Sequence, residues 1–223
     1  AIFTNPALAI KCGGAPQKIM YLSSDFWNKR KITYSVDFYS GLGVFFGNSY
    51  YQEALLKVAE SYKVNKVLKE NLVEVDGPAQ VAVFENIETK ERRSEHFDIM
   101  HVTPPQRAPT FISDSKLAAP SGYLKVDKFT LQNPDFPNVF AIGDSADLPT
   151  SKTASVINEQ SFTVAKNVQS YLNHKELVEK YDGYTACPVF IGNRKLILCE
   201  FGYDGKPMGT FKEDQRSPSS LLF

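Results

Sequence analysis

Three cysteines and three histidines hold most of the nucleophilic and metal-ligating chemistry available to this 223-residue chain. Cys12 stands in Lys11-Cys12-Gly13-Gly14-Ala15-Pro16, between a segment that reads as a strand (residues 7–11) and one that reads as a helix (residues 17–26). Paired glycines let the backbone turn sharply, and a proline in the first helical turn sacrifices no hydrogen bond, so this is a strand-turn-helix junction. A thiol at the start of a helix is favoured as its thiolate, the form that acts as a nucleophile or electron donor. Cys187 precedes Pro188 at the start of an apolar run and has no comparable local feature; Cys199, within Leu196-Ile197-Leu198-Cys199-Glu200-Phe201, reads as strand core. On local grounds Cys12 and Cys187 each read as a buried core thiol, because cysteine is among the most buried residue types. Three widely separated cysteines make neither a closed disulfide framework nor a zinc ribbon nor a CxxC redox motif. His96, His101 and His174 stand beside no metal-type ligand at a recognised spacing, so no metal site is expected. His101, in His-Val-Thr-Pro-Pro, reads as a satisfied structural histidine. Ser145 lacks the GxSxG context of a hydrolase nucleophile.

A second constellation lies in NVFAIGDSADLP followed by TSKTASVINEQS. An apolar strand ending in Gly143-Asp144, with a helix starting shortly afterwards, puts a carboxylate and several unspent backbone N–H groups at the carboxyl edge of a sheet, where open α/β sheets bind ligands. Asp144 is suited to accept hydrogen bonds from ribityl or ribose hydroxyls, and Gly143 admits close approach of a ligand to the backbone. The helix dipole, with the charge of Lys152 beside Thr153, favours a reduced, anionic flavin ring. The Gly-Asp pair taken alone is also compatible with an ordinary turn in which Asp144 caps a helix.

The elements that must position these groups alternate in type. Residues 31–39, with Ile32, Tyr34, Val36 and Phe38 alternating, read as a strand, and residues 51–62, with Leu55, Leu56, Ala59 and Tyr62 on one face, as a helix; together they continue a βαβ unit. Residues 66–75, 80–86 and 97–101 read as an inserted β-meander with a solvated, charged hairpin tip at 88–95, closed by a Pro-rich connection at 102–109. Residues 123–127 and 139–142 read as strands. A helix is expected from 151 or 153 to 172, with Ile157, Ser161, Val164, Val168 and Tyr171 on its inner face, and residues 186–191 and 196–202 as a terminal hairpin.

Composition bounds the function. With 43% hydrophobic residues the chain can bury a substantial core, and 25 basic residues balance 25 acidic ones, so charge gives no reason to expect a nucleic-acid partner. No run approaches the length of a membrane-spanning helix, and the first residues lack the layout of a signal peptide.

The segments KCGGAPQKIMYLS, HVTPP, NVFAIGD, LPTSKTA and KYDGYTACP, in this order, resemble the mitochondrial type of sulfide:quinone oxidoreductase, a family of two-dinucleotide-binding-domain flavoproteins. The resemblance runs over nearly the whole chain. It implies an α/β fold in which residues 1–109 form a second, Rossmann-like dinucleotide-binding domain. Residues 110–211 would then be the C-terminal part of an FAD-binding domain with its terminal hairpin, and residues 212–223 a tail. It also implies FAD as cofactor, held in part by Gly143, Asp144, Lys152 and Thr153. Cys12 and Cys187 match the family's two redox cysteines, which take up hydrogen sulfide as a persulfide and pass two electrons through FAD to ubiquinone, while sulfite or glutathione removes the sulfane sulfur. Sequence position assigns the persulfide to Cys187 and the flavin-facing thiolate to Cys12, with the reverse left open. The implied location is peripheral, on the mitochondrial inner membrane.

The family's first GxGxxG turn has no match here, since Gly41 to Gly47 lacks the third glycine at its required place. The amphipathic membrane helices expected beyond the hairpin have no match either. These departures imply part of a longer protein, inactive by itself. An NAD(P)H:quinone oxidoreductase of the same fold is the rival enzyme, but the place of its nucleotide fingerprint is occupied by Cys12-Gly13-Gly14-Ala15-Pro16. A non-catalytic interaction module built on a flavoprotein fold is the remaining alternative.

Overall fold

Glycine, proline and a few left-handed residues decide where the first elements begin and end. In the computed structural model, which describes residues 1–8 and 10–222, β1 (Ile2–Asn5) is buried along its length. The strand expected at residues 7–11 therefore lies earlier. Ala7 and Leu8 form a bend, and Ala9 is outside the described residues. The bend has a cause: the Ala7 N–H donates to Asn71 Oδ1 at 2.9 Å, and Gly41 abuts the same residue so closely that a Cβ there would stand 2.5 Å from the Ala7 nitrogen. Only glycine fits at that crossing.

Helix α1 (Ala15–Lys29) starts with Pro16 in its first turn and stops just before Lys31, whose φ of 56° is left-handed. It extends beyond the expected residues 17–26 at both ends. Of the strand expected at 31–39 only its end survives, as β2 (Asp37–Ser40). The aromatic alternation upstream serves another purpose, with the Tyr34 ring 5.1 Å from Trp27 and its hydroxyl donating to Asn28 Oδ1 at 3.1 Å. Helix α2 (Ser49–Ser61) is capped by Asn48, whose side chain accepts the Tyr50 N–H. Next come β3 (Asn65–Leu68) and β4 (Glu70–Asp76), read from sequence as one strand but separated by Lys69 at φ 65°. β4, β5 (Val81–Asn86) and β6 (Arg92–His96) form an antiparallel meander. β6 occupies the second half of the stretch expected to be a hairpin tip. Its charges are those of an edge strand, with Arg92 paired to Glu85 at 3.0 Å on the neighbouring strand. β7 (Met100–His101) then joins a parallel sheet of order β3-β2-β1-β7, in which Phe3 pairs with Phe38 on one side and His101 on the other. The meander is joined to this sheet by a cluster of Ile2, Tyr39, Ala82 and Phe84, the two rings stacked at 3.8 Å. Full burial of a side chain of this kind contributes about 2 kcal/mol.

The chain divides into two compact units, Ala1–Gln106 with Pro188–Cys199 and Phe211–Phe223, and Arg107–Cys187 with Glu200–Thr210. The elements above belong to the first. The second begins with the short α3 (Thr110–Ser113) and contains one parallel pair, β8 (Leu124–Lys125) with β9 (Ala146–Asp147). The expected strand 123–127 is thus shorter, and the expected strand 139–142 is not a strand. Phe140 makes a single bridge to Gln132, and the Ala141 N–H bonds Leu131 O at 3.2 Å, within a turn organised by Asn133. Ile112, Leu124, Ala141 and Ala146 form a core beside it.

The long helix α4 (Ala154–Leu172) buries Val156, Gln160, Thr163 and Asn167, one residue out of phase with the face expected from Ile157 and Ser161, which are exposed. Three of these four buried residues are polar. Asn167 shows why: its amide donates to Thr130 O and Glu179 O, both at 3.0 Å, and accepts the Glu179 N–H at 3.2 Å, anchoring two loops on the helix. The hairpin β10 (Thr185–Gly192) and β11 (Lys195–Phe201) closes the fold, its turn formed by Asn193 and Arg194 at φ 50° and 54°.

Candidate redox and cofactor site

In the second unit, a Gly-Asp turn and a helix start are locked together. Gly143 opens a single helical turn (Gly143–Ser145) at φ 56°, and its N–H donates to Gln160 Oε1 at 2.7 Å, so the turn hangs from the buried face of α4. A Cβ at residue 143 would come within 2.9 Å of Ile157 Cγ1. Asp144 is exposed on that turn. It does not cap α4, whose N-cap is Thr153, so the helix-capping alternative for Asp144 falls.

Thr153 itself makes no side-chain cap bond. Its hydroxyl is shared with Ser155 Oγ at 2.8 Å and Thr185 Oγ1 at 2.9 Å. Ser155 in turn donates to Ala186 O at 3.1 Å and accepts the Ala186 N–H at 2.7 Å. These hydroxyls spend their bonds on β10 instead of on the helix, so the first-turn N–H groups of α4 keep their capacity for another acceptor. The same bonds fix the strand residue before Cys187, a thiol that is itself buried. The Lys152 ammonium donates to Ala146 O and lies 4.4 Å from the centre of the Tyr123 ring. Gly143, Asp144, Lys152, Thr153 and Cys187 therefore gather around one helix start and the sheet edge next to it. Ser155, Gln160 and Thr185 hold that arrangement, and sequence reasoning missed all three. Their signal is faint, a run of hydroxyl and amide residues on what patterning reads as the wrong face.

In the first unit, Cys12 is half-buried in the turn before α1, its carbonyl accepting the Ala15 N–H at 3.0 Å. The Lys18 ammonium lies 3.7 Å from Cys12 Sγ. Helix start and ammonium both stabilise a thiolate over a thiol. Lys18 was not singled out from sequence. Its signal is the spacing, since a lysine in the second turn of a helix can fold back on a residue just ahead of the N-cap. Cys199 is fully buried, and burial pushes its thiol well above the usual cysteine range; nearby Lys18 lowers it and Cys12 raises it, but burial dominates. It keeps the core role expected for it. His101 stacks on Phe3 with ring centres 6.0 Å apart, and its buried Nδ1 has no hydrogen-bond partner among the described residues, which differs from the satisfied histidine expected. Among the described residues no group of three or more His, Cys, Asp or Glu could hold a metal ion.

No protein-family model matches the chain. Its fold is a Rossmann-like α/β fold with a parallel sheet. NDH2 from Plasmodium falciparum in complex with NADH superposes with a TM-score of 0.65 at 12% identity, over 88% of this chain and 57% of that one. Lactococcus lactis thioredoxin reductase gives 0.56 at 15% identity, over 78% and 53%. A chain of the Tetrahymena thermophila mitochondrial ATP synthase structure gives 0.82 at 22% identity, over 97% and 53%.

Curated sequences are more specific. The chain is 43% identical over 232 residues to the mitochondrial sulfide:quinone oxidoreductase of Schizosaccharomyces pombe, covering 100% of this chain and 50% of that protein. It is 40% identical over 226 residues to that of Mus musculus, with the same coverage. The match to that of Dictyostelium discoideum is 43% over 209 residues, 91% of this chain and 45% of that protein. The chain is a relative of the mitochondrial sulfide:quinone oxidoreductases and spans about half the length of the curated relatives it matches.

Proposed function

We propose that this chain is part of an FAD-dependent enzyme that oxidises hydrogen sulfide to a cysteine persulfide and delivers the electrons to a quinone. The observation that carries the reading is 40% to 43% identity to sulfide:quinone oxidoreductases along 91% to 100% of the chain. Residues 1–109 then correspond to the second dinucleotide-binding-like domain, residues 110–211 to part of the FAD-binding domain and residues 212–223 to a tail. Cys12 and Cys187 are the redox pair.

The residues around the start of α4 suit FAD. Gly143 sets the turn against α4, the α4 N-cap leaves the first-turn amides unspent, and Asp144 offers an exposed carboxylate to sugar or ribityl hydroxyls. Lys152 and Thr153 complete the set. Bound there, FAD would supply a two-electron acceptor that reduces quinone. The chain's own chemistry is thiol-disulfide exchange. Hydrosulfide attacks Cys187 Sγ of a Cys12–Cys187 disulfide, a new S–S bond forms at Cys187, the old one breaks, and its electron pair leaves on Cys12. Lys18 stabilises that leaving thiolate. A small acceptor such as sulfite or glutathione takes the sulfane sulfur, and the electrons go to ubiquinone. The relatives are named mitochondrial, and no helix among the described residues is long and apolar enough to cross a membrane. A peripheral place on the inner membrane follows from the same reading.

The test uses the full-length enzyme. Cys12→Ser and Cys187→Ser should each lower sulfide-dependent quinone reduction by at least about a hundredfold while retaining bound FAD, since each removes one end of the exchange. Turnover near wild type in either variant would refute the pair assignment.

A further inference from the structure

We propose that Ser155 is a positioning residue for Cys187: its hydroxyl clamps the strand residue next to the redox cysteine onto the first turn of α4, so that the cysteine and the helix start move as one body. The proposal rests on the reading of Cys187 as a redox cysteine. Every residue of the clamp lies in the second unit.

The clamp is a two-point contact. Ser155 Oγ accepts the Ala186 N–H at 2.7 Å and donates to Ala186 O at 3.1 Å. A residue in a strand turns its N–H and C=O to the same side, where a neighbouring strand takes both. Here one hydroxyl, with a single proton and two lone pairs, stands in the neighbour's place. Ala186 is the second residue of β10 and directly precedes Cys187, and both are buried.

The same contact fixes the direction of the hydroxyl chain. Because the Ser155 proton is committed to Ala186 O, the 2.8 Å contact with Thr153 is donated by Thr153, and the 2.9 Å contact between Thr153 and Thr185 is donated by Thr185. The chain thus leaves β10 at Thr185, passes through Thr153 at the α4 N-cap, and returns to β10 one residue later. Removing Ser155 Oγ takes the acceptor from both the Ala186 N–H and the Thr153 hydroxyl, and the strand is no longer tied to the helix beside Cys187.

The consequence concerns the reacting sulfur. Disulfide exchange at Cys187 Sγ needs the attacking and leaving sulfurs aligned on it, and a misplacement of about 1 Å in such geometry costs on the order of a hundredfold in rate. Ser155 acts on that alignment through the backbone next to the cysteine.

The test has two arms. In the full-length enzyme, Ser155→Ala should lower kcat for sulfide-dependent quinone reduction about tenfold while KM for sulfide stays within about twofold and FAD is retained, since a misplaced sulfur hinders the transition state and not the encounter. Ser155→Thr keeps the hydroxyl and should restore kcat to within about twofold of the parent. Asn167→Ala removes the bonds that anchor two loops farther along the same helix, so it measures loss of stability by itself and should keep kcat. A parental kcat in Ser155→Ala would overturn the proposal, as would an equal fall in Ser155→Thr or Asn167→Ala.

The second arm is alkylation of Cys187 by iodoacetamide in the 223-residue chain, in a Cys12→Ser/Cys199→Ala background without flavin. A buried thiol reacts through local opening, so Ser155→Ala should raise the rate about fivefold or more and Ser155→Thr should not. Equal rates in Ser155→Ala and its parent would overturn the proposal. If Ser155→Ala does not fold, Thr185→Val decides: it keeps the shape and removes the first donor of the chain, so kcat should fall and alkylation should quicken, and a parental value in either arm would overturn the proposal. Alkylation involves no sulfide chemistry, so a failed redox-pair assignment would show separately, as turnover near wild type in the full-length Cys187→Ser variant.

Discussion

Replacing Gly143 by alanine should destabilise the second unit, and the size of the effect follows from two separable terms. The first is backbone. Gly143 sits at φ 56°, in the left-handed region, where an L-residue costs roughly 1–2 kcal/mol. The second is steric. The new methyl would meet Ile157 Cγ1 at 2.9 Å and Cδ1 at 3.1 Å. Cγ1 is placed by χ1, which a β-branched residue in a helix can hardly change, so relief requires an off-rotamer side chain at about 0.5–1.5 kcal/mol. The sum is about 1.5–3.5 kcal/mol. Ile157 is 43% exposed, so Ile157→Ala alone should cost about 1 kcal/mol or less. A double-mutant cycle by urea unfolding, followed by circular dichroism, separates the terms. Gly143→Ala in the Ile157→Ala background should lose only the backbone term, giving a coupling energy of about 1 kcal/mol. A Gly143→Ala chain within about 0.5 kcal/mol of wild type, or a cycle with no coupling, would refute the reasoning. It would also remove the physical ground for glycine at the proposed flavin-facing turn.

Lys18→Met should slow alkylation of Cys12 by iodoacetamide at neutral pH by about three- to tenfold in a Cys187→Ser/Cys199→Ala background, because the ammonium 3.7 Å from the sulfur is lost while helix propensity is kept; an unchanged rate would show that the ammonium does not act on the thiol. Tyr181 is pushed up to about 12 by burial, which outweighs the lowering by Gln160 and Thr150. A folded value above the ordinary phenol's means that stability is complete below about pH 10 and is lost as pH rises toward about 12. The unfolding midpoint in urea should therefore drop steeply between those pH values and do so less in Tyr181→Phe; equal pH profiles for the two chains would contradict the assignment.

Much of the site was legible as short strings. Cys12-Gly13-Gly14-Ala15-Pro16 announces a turn into a helix and Gly143-Asp144 a turn near a helix start, because glycine and proline act on the backbone within a residue or two of themselves. The structure has α1 and the Gly143 turn where these strings place them. Patterning failed where charge or polarity hid an element. The charged strand β6 read as a tip, since an edge strand needs no apolar face. The inner face of α4 was misjudged because apolar periodicity has no term for Gln160 and Asn167, which are buried by virtue of distant backbone partners.

The sequence by itself determined the alternation of strands and helices, the two turns that present Cys12 and Gly143, and the kinship that joins Cys12 and Cys187 in one reading. Tertiary structure alone decided what stands beside them. Lys18 comes to Cys12 only because the turn and α1 fold it back, and Thr153 reaches Thr185, 32 positions away, only because α4 and β10 meet. The physical reason is range. Backbone preference is local, so a single sequence carries it openly. A buried hydroxyl, amide or carboxylate is satisfied by whatever donor or acceptor the fold delivers, and that partner is chosen by packing and not by proximity along the chain.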